Sequence, residues 1–211
     1  SDNTYSITWG TAKASNYEIT EELGTLEVTK ATITDEPEDP DDPQSKPRFD
    51  VSRPEDVVYN GKEQKQPITI KDTKTGKDLV EGTDFQMSYS ADVTNVGDVT
   101  ITVTGMGSYE GTFTRTYKIT KAPLTVKTGS ASKEYDGSAL TKDEASIEGL
   151  VNGESATVKA NGSQTEVGSS QNGYDITWGT AKASNYEITE ELGILEVTKA
   201  KLPDDPEDPD D

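Results

Sequence analysis

Glu190 and Glu191, and again Glu21 and Glu22, are adjacent carboxylates, the type of pair with which a glycosidase protonates a leaving oxygen and attacks or hydrates the sugar carbon. Neighbours in an extended strand leave on opposite faces, so these two cannot flank one bond. A solvated turn ahead of Gly193 accounts for them. Histidine and cysteine are absent, which removes the commonest general base near neutral pH, the commonest transition-metal ligand, the thiolate nucleophile and any disulfide. Catalysis would rest on carboxylates, lysines, tyrosines or hydroxyls alone. The expectation is that the chain is not an enzyme and holds no cofactor.

Aromatic recognition is the other chemistry on offer. Tyr59 and Tyr135 each precede a turn dipeptide, Asn-Gly or Asp-Gly, and tyrosine presents a large area and a hydroxyl at low entropy cost. Trp178 and its copy Trp9 have the flat ring that stacks on a sugar. Tyr59, Tyr135 and Trp178 are therefore the candidate ligand-binding residues. Against this, a tyrosine beside a tight turn also plugs the end of a sheet, and Trp178 shares strand parity with Ile176, which points it into a core. Closely spaced carboxylates at 35–43 and 204–211 raise calcium, but the loop spacing of an EF-hand, with its central glycine and final glutamate, is missing.

The elements that would position these groups are strands. "DVTITVTG" (98–105), "GTFTRTYKIT" (111–120), "DFQMSYS" (84–90), "QPITIKD" (66–72), "PLTVKTG" (123–129), "YDITWG" (174–179) and "GILEVTK" (193–199) alternate apolar and polar residues, the pattern of half-buried antiparallel strands. "TKTGK" (73–77) and "TGMGSYEG" (104–111) read as hairpin connections. A short helix is conceivable only at Thr141–Leu150. The fold class expected is all-β, with two small tandem modules of immunoglobulin-like sandwich type, or β-grasp-like as the second choice.

Tyr174–Ala200 repeats Tyr5–Ala31 almost letter for letter, an offset of 169 residues, and the match runs on into "DEPEDPDD" (35–42) and "DDPEDPDD" (204–211). A second, weaker echo relates "VYNGKEQ" (58–64) to "EYDGSAL" (134–140), "SYEG" (108–111) to "NYEI" (185–188) and "KITKA" (118–122) to "EVTKA" (196–200). The organisation expected is 1–31 as the end of a preceding second-type module, 32–46 as an acidic proline-rich linker, 47–122 and 123–200 as the two modules, and 201–211 as another linker. "TKAPLTV" leaves almost no joint between the two modules, so a stiff pair is expected. The acidic stretches should be extended spacers. Residues 1–31, with Ile7, Trp9, Tyr17, Ile19, Leu23, Leu26 and Val28 patterned for a core, should not fold alone, and residues 123–173 of another copy would complete them by strand exchange.

A formal charge of −20 disfavours nucleic acid and anionic membrane surfaces, which call for clustered Lys and Arg. The sequence has no run of 18 apolar residues, so no membrane insertion is expected of this segment.

The motifs "VYNGKEQ", "PITIKD", "LVEGTDFQMSYS" and "TNVGDVTITVTGMGSYEGTFTRTYKIT" in the first module, and "KEYDGSALTKDE", "GSQTEVGSS" and "NYEITEELGILEVTKA" in the second, resemble the MBG and YDG-type domains found in tandem in large exported proteins of Gram-positive and gut bacteria. The resemblance implies a stalk or adhesive repeat, extracellular, on a bacterial cell surface and anchored to the wall through other regions; it carries over no catalytic residues. Lys121 and Lys199 near strand ends invite a Lys-to-Asn cross-link of the kind that other Gram-positive stalk domains use, with no partner picked out by the sequence. The expected function is a structural stalk that projects a distal binding region of an adhesin, its partners being neighbouring repeats. The rival is that the repeat itself binds host glycan, mucin or a matrix protein, with weak sites multiplied into avidity.

Overall fold

The computed structural model of the chain describes residues 1–34, 36, 41–42 and 44–201. The acidic stretch at 204–211 lies outside the described residues, as does most of that at 35–43. The chain is all-β. Its strands in order are β1 (Ala31–Thr32), β2 (Phe49–Val51), β3 (Val57–Val58), β4 (Ile70–Asp72), β5 (Lys77–Asp78), β6 (Phe85–Tyr89), β7 (Gly97–Gly105), β8 (Tyr109–Glu110) and β9 (Thr112–Thr120). There follow β10 (Ala122–Thr128), β11 (Ala131–Glu134), β12 (Ala145–Glu148), β13 (Ala156–Ala160), β14 (Gly168–Gln171), β15 (Tyr174–Trp178), β16 (Tyr186–Glu191) and β17 (Ile194–Thr198). The helical elements among the described residues are single 3-10 turns at Ala14–Asn16 and Ala183–Asn185.

Alternation correctly marks the buried faces. Val99, Ile101 and Val103 of β7, Tyr117 and Ile119 of β9, Leu124 and Val126 of β10, and Leu195 and Val197 of β17 point inward with period two. Pairing is not antiparallel throughout, as the pattern suggested: β1 with β8, β3 with β9, β10 with β16 and β11 with β17 are parallel. Alternation reports which face is buried and is blind to the direction of the neighbour. Residues Thr141–Leu150 hold strand β12 rather than a helix. Ala145 and Ile147 have strand parity, and β12 lies antiparallel to β10 with Val126 opposite Ile147. Gly149 then turns the chain at φ 106°, where a Cβ would stand 2.5 Å from the Pro123 carbonyl oxygen.

The chain divides into two compact units, one of residues 1–51, 69–87 and 103–113, the other of 52–68, 88–102 and the chain from 114 on. The sequence boundaries at 31/32 and 46/47 therefore fall inside the first unit, and that at 122/123 falls inside the second.

In the first unit, β1 pairs Ala31 with Tyr109 and Thr32 with Glu110. The Ala31 N–H donates to the Ser108 carbonyl at 3.0 Å and the Ile33 N–H to that of Glu110 at 2.8 Å. Ile33 is buried. On the far side of the acidic stretch, Arg48 donates to both oxygens of Asp72, Nε at 3.1 Å and Nη2 at 2.7 Å. That guanidinium, with the Lys74 N–H, holds the fully buried Asp72 carboxyl below its usual range against the opposing effect of burial. Phe49 of β2, opposite Asp72 on β4, meets Tyr109 edge-on at 5.9 Å. The acidic stretch thus connects two segments packed in the same unit.

In the second unit, the order β12-β10-β16 forms one three-stranded sheet and β11-β17-β14 another, with β13 and β15 as a pair. Asn172, fully buried, braces them. Its Nδ2 donates to the carbonyls of Gly129 at 2.9 Å and Lys142 at 2.8 Å, and its Oδ1 accepts from the Gly162 N–H at 3.1 Å.

Residues 1–30 keep some side-chain contacts and the 3-10 turn of their copy but none of its strands, and lack its burial. The Tyr5 hydroxyl donates to Glu21 at 3.0 Å, as Tyr174 does to Glu190 at 2.6 Å. Trp9 lies 5.6 Å from Tyr17, as Trp178 lies 6.1 Å from Tyr186. Yet Tyr17, Leu26 and Val28 are 61%, 55% and 97% exposed, whereas their counterparts Tyr186, Leu195 and Val197 are 2%, 0% and 1% exposed. The difference is the partner strands: β17 lies between β11 and β14, and β16 against β10.

Candidate functional site

A set of polar and aromatic contacts in the second unit joins residues before Lys121 to residues after it. β9 ends at Thr120 and β10 begins at Ala122, so Lys121 alone separates them. β3 runs parallel to the end of β9, with Val57 opposite Ile119 and Val58 opposite Thr120. The Tyr59 N–H then donates to the Thr120 carbonyl at 2.8 Å, which fixes the tyrosine at the end of that sheet. The Asn60 carboxamide accepts from the Lys62 N–H at 2.9 Å and closes the turn. Gly61 in that turn has φ 74°, and a Cβ there would come within 2.6 Å of the Asn152 Cβ; both demands select glycine.

From the second module comes a turn in which the Glu154 N–H donates to the Val151 carbonyl at 2.9 Å. The Tyr59 hydroxyl donates to Glu154 Oε1, and the Tyr186 hydroxyl to Glu154 Oε2 at 2.6 Å. One carboxylate therefore ties a phenol from each module. The Val151 N–H donates to the Tyr186 hydroxyl at 3.2 Å, and Asn152 Nδ2 to the Gly61 carbonyl at 2.9 Å. The rings pack as well: Tyr59 and Tyr186 meet edge-on at 5.7 Å and 84°, and Trp178 stacks on Tyr186 at 6.1 Å and 20°. Such pairs add roughly 0.5–1.5 kcal/mol beyond their buried area.

A second set of contacts flanks the first. Asn185, buried at the end of the 3-10 turn, accepts from the Val96 N–H at 3.1 Å and donates to Asn95 Oδ1 at 2.9 Å. Lys182 Nζ reaches the same oxygen at 3.3 Å. Asp92 holds the loop by accepting from the N–H groups of Thr94 at 3.0 Å and Asn95 at 2.9 Å and from Asn95 Nδ2 at 2.8 Å. Those bonds, the Asn95 N–H foremost, bring the Asp92 carboxyl down to about 2.

Burial first, then Glu154, pushes the Tyr186 phenol up to about 12; the same two causes, in the same order, raise Tyr59. Both rings are thus held protonated as donors to a carboxylate whose two oxygens are both taken. The arrangement fastens the turn at 59–62 to the turn at 151–154, with each Glu154 oxygen accepting from one phenol.

Of the candidate ligand residues, Tyr59 and Trp178 are brought together in this joint. Tyr59 is buried, with its hydroxyl spent on Glu154. Tyr135 is elsewhere, 40% exposed, its N–H donating to the Thr198 carbonyl at 2.9 Å. Glu190 and Glu191 end strand β16 rather than forming a turn, and leave on opposite faces: Glu190 accepts from Tyr174, and Glu191 pairs with Lys127 at 3.2 Å. Among the described residues no hydrogen bond joins Lys121 or Lys199 to an asparagine. Lys182 Nζ does reach an asparagine, Asn95, whose carbonyl oxygen also accepts from Asn185 Nδ2 while Asp92 accepts from its N–H groups. Among the described residues no cluster of three or more acidic side chains could hold a metal ion.

Sequence reasoning missed Glu154, Asn152, Asn95 and Asn185. A signal existed for the first two: "LVNGE" (150–154) echoes "LVEGT" (79–83), marking one turn in both modules, where the Thr83 N–H likewise donates to the Val80 carbonyl at 3.2 Å. Asn95 and Asn185 carry no such mark, because a polar residue that crosses between modules looks like any loop asparagine.

No curated protein matches the chain. Residues 124–196, which include Glu154, Trp178 and Tyr186, match the family model described as MBG domain (YGX type), so the likeness carried by the motifs of the second module is shown over that stretch.

Proposed function

We propose that the chain is a structural segment of a bacterial surface protein, a stalk that projects a distal binding region, extracellular and anchored to the cell wall through other regions. One observation supports this most directly: consecutive modules are joined by a single residue and clamped by Tyr59, Glu154 and Tyr186. A joint of that kind adds length without adding a hinge. Stiffness then comes from the joint rather than from acidic spacers, and the charge of −20 keeps neighbouring stalks apart through mutual repulsion. Near-identity between copies fits this role, since changing the number of repeats changes length and leaves each fold intact. The function needs no catalysis, cofactor, nucleic acid or membrane insertion.

The test is binding of mucin and a host-glycan panel to chains that carry one repeat and three repeats. The stalk expects no binding at either length. Binding that rises steeply with repeat number, as multivalency requires, would replace it with the adhesive module for glycan, mucin or matrix protein.

A further inference from the structure

Three times the sequence reads Thr-Lys-Ala at the end of a module: Thr29–Ala31, Thr120–Ala122 and Thr198–Ala200. In the first two, the alanine opens a strand that runs parallel to a Tyr-Glu pair of the module that follows. Ala31 lies opposite Tyr109 and Thr32 opposite Glu110. Ala122 lies opposite Tyr186 and Pro123 opposite Glu187. In both, the strand that the alanine begins pairs with the segment that follows it in sequence.

The end of the second module has the same construction as the end of the first. The Tyr135 N–H donates to the Thr198 carbonyl at 2.9 Å, as the Tyr59 N–H does to that of Thr120 at 2.8 Å. The Asp136 carboxylate accepts from the Ser138 N–H at 2.9 Å, as Asn60 does from Lys62. Gly137 has φ 77°, against 74° at Gly61. The two differ in occupancy: the Tyr59 ring is buried against Tyr186 and Glu154, whereas Tyr135 is 40% exposed and its hydroxyl has no hydrogen-bond partner among the described residues.

We infer that this end, Tyr135 together with Ala200 and Lys201, is a docking surface for a following first-type module, a second copy of residues 44–120, to whose Tyr109-Glu110 strand Ala200 and Lys201 add in parallel. The inference rests on the tandem-stalk reading and gives the joint between repeats its geometry. Its consequence is that no acidic spacer separates one repeat from the next. As between Ile33 and Phe49, the acidic stretch joins two parts of a single unit, and the modules abut throughout. The joint is a weaker version of the first, because Thr83 in "LVEGT" stands where "LVNGE" has Glu154. The tyrosine then meets a hydroxyl in place of a carboxylate, and charge-assisted bonds are about twice as strong as neutral ones.

The experiment is amide hydrogen exchange on the full chain and on the full chain followed directly by a second copy of residues 43–211. In the lengthened chain the Ala200 amide should slow by about 100-fold, the range of a locally protected strand, and Tyr135→Ala there should return about tenfold of it while amides of 124–196 keep their rates. Equal Ala200 exchange in both chains, with the added copy folded, overturns the inference. An added first module that stays unfolded overturns it too, since Ala200 and its successors would then have failed to supply the strand that Ala31 supplies in the first copy. Glycan binding by the same chains would remove the stalk and leave this joint standing.

Discussion

Leu195→Ala should destabilise the second unit by about 3–4 kcal/mol, the cost of deleting a fully buried leucine side chain, while Leu26→Ala should change stability by less than about 0.5 kcal/mol. The two leucines stand 169 positions apart in nearly identical sequence, the nearest difference being Thr25 against Ile194, so local propensity is closely matched. What differs is the company they keep. Leu195 lies on β17 between β11 and β14 and is 0% exposed; Leu26 is 55% exposed. The measurement is urea unfolding of both variants followed by circular dichroism. Equal losses would mean that residues 1–30 are covered by strands from another molecule, the exchange that the apolar pattern of that segment suggests. In that event gel filtration would show a dimer, and dilution would restore the difference.

Glu154→Ala should cost about 2–3 kcal/mol, because it leaves the hydroxyls of Tyr59 and Tyr186 buried without their acceptor. Glu154→Gln should cost less, since its carboxamide oxygen still accepts from one of them. Alkaline titration separates this joint from ordinary packing. Tyr186 has its phenol raised to about 12 in the folded chain, above the unfolded value of about 10. Its contribution to stability is therefore fully present below pH 10 and is lost as pH climbs toward 12, where the unfolded chain ionises first. Followed by phenolate absorbance, Tyr186 should titrate late among the nine tyrosines, together with Tyr174, which is also pushed up to about 12 by its bond to Glu190, and with the raised Tyr59 ahead of them. In Glu154→Gln the Tyr186 and Tyr59 phenols should move back toward 10 while Tyr174 keeps its place.

Much of this architecture was legible in the residues. Period-two alternation located β7, β9, β10 and β17 and named their inward faces, because a half-buried strand imposes that pattern on any sequence that folds into it. "TKTGK" closes the hairpin of β4 and β5 as expected, with the Gly76 N–H donating to the Asp72 carbonyl at 2.8 Å. The short joint expected at "TKAPLTV" is Lys121 alone, between β9 and β10. Strand direction was hidden, since the parallel partners β10 and β16 lie 64 residues apart at Ala122 and Tyr186 and nothing local records which way they run. Acid and proline composition described the stretch after Thr34 as a spacer, but composition is silent on whether the segments at its two ends pack into one unit. Ile33 alone, an apolar residue just before the acids, hinted that the module had already begun. Tyr59 was singled out for an aromatic face with a polar edge, and that face meets Tyr186 and Glu154, while Trp178 stacks on the same Tyr186.

The most direct test of the abutting joint is nitrogen-15 relaxation of the full chain, comparing amides of 88–102, on the first-module side of the clamp, with those of 124–196 on the other. A clamp of two phenols on one carboxylate, with one residue between strands, requires a single shared tumbling time, and Glu154→Ala should split it. Two separate, shorter times in the unmodified chain would contradict the account.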